Sequence, residues 1–191
     1  MNMTATGQAG GMWSVGTRTI VYGAVGAALY AAAGYYSFFA QVPGTEGVYL
    51  RPAYGILTFF GFAFGPVVGF ATGFIGNALA DTLTASGPIA SWWWSVANGL
   101  AGLLAGVLAF RWLGSGNASL RAVVSVTATV AATAIGFLFI WIELVIQPEL
   151  GSDVILWGEY VPAVVSNSLF GAILTPILVL AWEPLSARMG R

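Results

Sequence analysis

Residues 92–110 read WWWSVANGLAGLLAGVLAF, a run without a single charged side chain, closed by Arg111. Coiled as a helix it is about long enough to cross the ~30 Å hydrocarbon core of a bilayer. Outward from this run, charges punctuate the chain sparsely and the apolar intervals between them repeat the pattern. Six helices are predicted, at about 17–39, 52–64, 66–83, 92–110, 120–146 and 160–182. Pro43, Gly44 and Gly47 mark the first loop, Gly65-Pro66 a break between the second and third helices, and Ala85-Ser86-Gly87-Pro88 a turn. A polar stretch from Gly114 to Ser119 and an acidic loop from Gln147 to Tyr160 separate the last helices. Residues 1–16 form a polar tail, and 17–191 a single membrane domain. The first run is too long, and lacks the flanks, for a cleaved signal peptide, so it is read as a retained helix.

Composition agrees. Of 191 residues, 58% are hydrophobic and only 7% charged, against about 25% in a soluble domain. An ordinary cytosolic enzyme is excluded, and so is disorder, whose signature is the reverse. The runs are continuous rather than alternating, which argues against a β-barrel. The net charge of −1 gives no field for nucleic acid. All six cations are Arg, and Lys, His and Cys are absent. Disulfides, thiolate nucleophiles, imidazole bases and Cys/His metal sites therefore fall away, as does a Walker A loop, which needs its Lys. Active transport would draw its energy from a partner or an ion gradient. No catalytic residue, cofactor or metal site is expected.

Six crossings place both termini on one side together with Arg18, Arg111, Arg121, Arg188 and Arg191, with Arg51 alone opposite. The positive-inside rule then makes the termini cytoplasmic. The 52–64 segment is short for a crossing, but treating it as re-entrant would swap the later loops and weaken the arginine bias. Six is the count that fits.

Ionisable groups at membrane depth are costly and usually face a cavity. Arg51 enters the second helix beside Tyr49 and Tyr54. Asp81 follows Asn77 by four residues, on one helical face, and Glu143 lies near the outer end of the fifth helix. Asn98 and Asn167 add hydrogen-bonding groups within the fourth and sixth helices. These residues either contact a ligand or clasp the bundle through an Arg51 pair with Asp81 or Glu143. The run Trp92-Trp93-Trp94 suits an interfacial belt, but three consecutive residues point around most of a helix, so at least one indole should face inward. An inward indole would be a stacking plate, with Trp157 and Tyr160 as an opposing wall or lid. Gly61, Gly65, Gly69 and Gly73, then Gly102 and Gly106, are four residues apart and favour close helix packing. Ala24, Ala28 and Ala32 form a flat stripe on the first helix, with Ala27 and Ala31 beside it. The stripe suits internal packing or a docking face.

The order of Gly26-Ala-Ala-Leu-Tyr30, Tyr49-Leu-Arg-Pro-Ala53, Phe64-Gly-Pro-Val-Val-Gly-Phe70, Gly73-Phe-Ile-Gly-Asn-Ala-Leu-Ala-Asp81 and Trp92-Trp-Trp-Ser-Val-Ala-Asn-Gly99 resembles the substrate-binding S components of energy-coupling factor (ECF) vitamin transporters, nearest to the riboflavin-type branch. The similarity covers residues 18 to 110 and is topological beyond. It implies a six-helix bundle that binds a vitamin or precursor from outside and has no ATPase activity of its own. It also implies docking on a transmembrane scaffold subunit driven by two ABC ATPases, with the stripe Ala24, Ala28 and Ala32 as the docking face. The chain departs from the pattern at Asn77, where relatives often carry His.

The expectation is a non-enzymatic, multi-pass protein of a prokaryotic cell membrane that captures a small planar, riboflavin-like vitamin. Arg51, Asn77, Asp81, Asn98 and Glu143 would hydrogen-bond the ligand, while Tyr54, Trp93 and Trp94 would stack on it. The alternative is a stand-alone ion-coupled secondary transporter using Asp81 and Glu143, although no internal repeat is visible. An integral-membrane enzyme ranks last, since no paired-carboxylate motif appears.

Overall fold

A computed structural model describes residues 11–37, 40–45, 47–84, 87–110 and 117–188, less the side chains of Phe110, Ser186 and Ala187. The described chain is helical: α1 (Thr17–Ser37), α2 (Tyr54–Phe64), α3 (Pro66–Leu83), α4 (Trp92–Phe110), α5 (Ala118–Gly136), a 3₁₀ stretch (Phe137–Ile142), α6 (Glu143–Ile146), α7 (Gly151–Asp153), a π-helical stretch (Val154–Tyr160) and α8 (Val161–Arg188). Among the described residues, three helical segments are long and apolar enough to cross a membrane: Trp92–Ala109, Ala118–Ile146 and Gly151–Leu185.

The sides of this bundle are apolar and much of its interior is polar. Ile20, Val21, Val25 and Leu29 of α1, and Val165, Leu169, Ile173 and Ile177 of α8, are exposed. Thr58, Thr72, Asn77, Asn98, Thr129, Glu143, Asn167 and Thr175 are buried. That inversion fits a chain whose sides face lipid, where backbone and side-chain polar groups must be satisfied within the protein.

Contacts fix how the helices run. Gly65, at φ 100°, lets the chain reverse between α2 and α3, and Pro66 takes the first helical position, where its missing N–H costs nothing. A Cβ on Gly69 would meet Gly61 Cα at 2.7 Å, and one on Gly106 would meet Pro66 Cα at 2.6 Å. A Cβ on Gly102 would overlap the carbonyl oxygen of Gly69. The four-residue glycine spacing therefore packs α2, α3 and α4 backbone to backbone. At this end Tyr22 of α1 stacks on Phe64 at 4.3 Å, and Trp182 of α8 meets Phe64 edge-on at 5.1 Å. Arg121 at the start of α5 pairs with Glu183 at 2.8 Å. Both ends of the helical chain thus lie together, opposite the end where Arg51, Asn77, Trp94 and Glu143 meet.

Boundaries differ from the sequence reading where local chemistry intervenes. The second helix starts at Tyr54 rather than residue 52, after a turn closed by Tyr54 N–H donating to Arg51 C=O. The fifth starts at Ala118 because Asn117 Oδ1 caps Leu120 N–H at 3.0 Å. Its last third tightens into 3₁₀ geometry before Glu143. The expected acidic loop is largely coiled: α7 and the π stretch run directly into α8, which continues past residue 182 to Arg188. The first helix ends at Ser37, and residues 38–39 of the predicted span lie outside the described residues, as does most of the predicted tail.

Candidate ligand site

A cavity of about 300 Å³ opens at the end of the bundle away from the chain termini. Helices α1, α3, α4 and α8, the loop before α2 and the stretch around Glu143 all contribute to its wall. Six of the eight predicted ligand residues line it: Arg51, Asp81, Trp93, Trp94, Asn98 and Glu143.

The remaining two sit behind the wall. Asn77 is fully buried and joins four neighbours. Arg51 Nη1 donates to its Oδ1, while its Nδ2 donates to Asp81 Oδ2 at 2.8 Å and to Ser95 Oγ at 3.0 Å. Asn98 Nδ2 reaches Asn77 Oδ1 at 3.4 Å, and Asn98 Oδ1 accepts from Tyr30 O–H at 2.8 Å. Neither direct clasp forms, for no Arg51–Asp81 or Arg51–Glu143 ion pair lies within 4 Å among the described residues. Asn77 stands between the guanidinium and the Asp81 carboxylate instead, so that both charged groups keep a face on the cavity. Tyr54, expected to stack, is buried in the core, its ring edge-on to Phe137 at 6.2 Å. An aromatic at the first position of α2 points into the bundle, beneath the cavity floor that Phe137 helps to form.

Glu143 is 1% exposed. Both indole N–H groups of the tryptophan run converge on its Oε1, Trp93 closely and Trp94 at 3.1 Å, while Oε2 has no hydrogen-bond partner. Consecutive residues on a helix diverge by about 100°, so two neighbouring indoles reach one oxygen only because that oxygen sits between their directions. Trp92, the third of the run, lies outside this group, edge-on to Trp93 and Phe139.

Glu159 and Asn167 complete the wall. Asn167 is buried and its Oδ1 has no partner. Eight residues separate the two, a little over two helical turns, which sets both on the cavity side of the last helix. Sequence reading recognised Asn167 as a polar group within its helix but did not assign it to the ligand, and it assigned Glu159 to a loop. The polar spacing alone held the signal. Trp157 and Tyr160 are not the opposing wall: Trp157 is 66% exposed, and Tyr160 O–H donates to Ala134 C=O at 2.8 Å. In the wide π turn Glu159 is buried toward the cavity while Trp157 faces outward. From the first loop, Val48 is buried against the core cluster, and the loop is pinned by a bridge between Gln41 and Tyr49. Gly47, Val48 and Tyr49 thereby roof one side of the cavity.

On α1, Ala24, Ala28 and Ala32 are exposed, whereas Ala27 and Ala31 are buried against α3. The stripe is a free face of the bundle.

Residues 14–183 match the model of a family described as ECF-type riboflavin transporter, S component. Among curated relatives, a UPF0397 protein of Streptococcus gordonii is 32% identical over 181 residues, covering 91% of each chain. One from an Exiguobacterium species is 30% identical, covering 94% of this chain and 97% of the relative. One from Streptococcus sanguinis is 29% identical, covering 91% and 94%. No solved structure matches the chain.

Proposed function

Because this chain belongs to the ECF-type riboflavin transporter S-component family, whose members are substrate-binding transport components and not enzymes, we propose that it captures a small planar vitamin or vitamin precursor outside the cell for ATP-driven import by partner subunits. Family membership implies association with an energy-coupling module of a membrane scaffold and ATPases. The observation that carries the reading is the single-ended cavity. Charged and amide groups from four helices and a loop converge on a void next to two indoles, at a depth where such groups are rarely tolerated without a purpose.

In this reading six helices cross the cell membrane of a prokaryote with both termini in the cytoplasm. Support comes from the charge distribution: Arg18, Arg121 and Arg188 stand at the end opposite the cavity, and Arg51 at the cavity mouth. The short second segment is compatible with this count if the loop that carries Arg51 completes the distance that the 11-residue α2 leaves. The cavity then opens outward. The exposed stripe Ala24, Ala28 and Ala32 is the face offered to the scaffold, since small side chains let another helix approach closely. Arg51, Asp81, Trp93, Trp94, Asn98 and Glu143 contact the ligand, and Asn77 holds Arg51 and Asp81 in place from behind. Riboflavin, named in the family's description, is the first ligand to test.

Reconstitution in liposomes tests the reading. Uptake that requires the scaffold, both ATPases and ATP is expected. Uptake by this chain alone, driven by an ion gradient, would overturn it in favour of a secondary transporter.

A further inference from the structure

We infer that the group seated deepest in this cavity is cationic and rich in N–H donors, carried on a compact planar heterocycle, and that Glu143 is its anchor. The inference rests on the binding-subunit reading and narrows its substrate class.

The lining holds three carboxylates, Asp81, Glu143 and Glu159, against one guanidinium. Arg51 and Asp81 already share Asn77, so this cation is committed to that side of the site. Glu143 has no cation within 4 Å among the described residues. Its Oε1 is held by two indole donors, and its Oε2 is buried with none. A buried carboxylate oxygen without a partner is strongly unfavourable, and a bound donor removes that penalty. The two indole N–H donors beside it are already engaged, since the Trp93 and Trp94 N–H groups both point at Glu143 Oε1. A ligand edge made of acceptors, such as the carbonyl-bearing edge of a neutral flavin, would face like-polarity groups here. An amino-substituted, protonated ring complements them. Trp93 and Trp94 border the same cavity beside Glu143, and a positive ring that meets an aromatic face gains from it beyond stacking. Size agrees: about 300 Å³ is at the lower limit of the ~300–1,000 Å³ range for small-molecule sites and suits one compact ring system.

The test is equilibrium binding to the purified full chain in detergent, read by quenching of tryptophan fluorescence. The probes are 4-amino-5-hydroxymethyl-2-methylpyrimidine, thiamin and riboflavin. One of the two amino-bearing probes is expected to bind at least about tenfold more tightly than riboflavin. Glu143→Gln should weaken it by about 30-fold or more, and Glu143→Asp, which keeps the charge, by less. Unchanged elution and melting of the variants would separate lost binding from lost fold. Tighter binding of riboflavin, or an amino-bearing probe indifferent to Glu143→Gln, would overturn the inference while leaving the binding-subunit reading intact. Failure of all three probes to bind would also overturn it, and the liposome assay would still judge the broader reading.

Discussion

Asn77→Leu removes the bridge between Arg51 and Asp81 while keeping the number of side-chain heavy atoms, and its cost can be worked from the contacts. Two of the lost bonds involve charged partners, Arg51 and Asp81, at about 1.5–3 kcal/mol each. The bond to Ser95 adds about 1 kcal/mol, and the 3.4 Å approach of Asn98 little. The sum, roughly 4–7 kcal/mol, is an upper bound. Arg51 and Asp81 both border the cavity and regain water when released, and hydrogen bonds inside membrane bundles average nearer 0.6 kcal/mol. Leucine also adds apolar burial. Hydration wins over most of the loss, leaving a net destabilisation of about 2–3 kcal/mol. At about 2–4 °C per kcal/mol for a chain of this length, the intrinsic-fluorescence melt should fall by about 4–12 °C. Ligand affinity should fall further in proportion, by tenfold or more, because the freed guanidinium and carboxylate are no longer held in one geometry at the cavity wall. Asn77→Asp should be worse for binding than for folding, since it pairs with Arg51 but repels Asp81. An Asn77→Leu protein that melts within 1 °C of the parent and binds ligand equally well would refute the bridging role.

Other perturbations separate packing, docking and surface charge. Gly102→Leu should abolish or greatly lower the yield of folded protein, because its Cβ meets the Gly69 backbone rather than a movable side chain; Gly16→Leu, with open space around it, should elute and melt like the parent. Ala28→Trp should leave ligand affinity unchanged while preventing co-purification with the scaffold and ATPases, and retained assembly would reject the stripe as the docking face. Arg121→Ala should lower stability by no more than about 1 kcal/mol, since the Arg121–Glu183 pair is partly exposed; a larger loss would show the pair to be a structural clamp.

The fold was legible in sequence because lipid imposes few rules and this chain obeys them. Gly65-Pro66 and the four-residue glycine spacing each specify one local outcome, and each was met. The apolar runs are helical, with three segments long and apolar enough to cross a membrane among the described residues. Cavity-lining residues were legible where cost made them conspicuous: Arg51, Asp81 and Glu143 are rare charges at helix ends, and all three line the cavity. Direction was not legible. Asn77 and Tyr54 are residue types that contact ligands, yet both turn into the bundle, because facing is set by crossing angles and close packing that no local pattern encodes. Glu159 was hidden for another reason. A π turn changes the angular step between residues, so an assumed loop concealed an inward carboxylate. Asn167 needed the partner helices in place before its amide could be assigned to the same void as Glu143.

Native mass spectrometry of the chain, released from detergent after exposure to the three probes, tests most directly whether the cavity is a nutrient-binding site. One heteroaromatic molecule per chain is expected, absent when Asn167→Leu and Glu143→Gln are combined in a variant that still melts cooperatively. Binding that persists undiminished with both cavity residues replaced would contradict it.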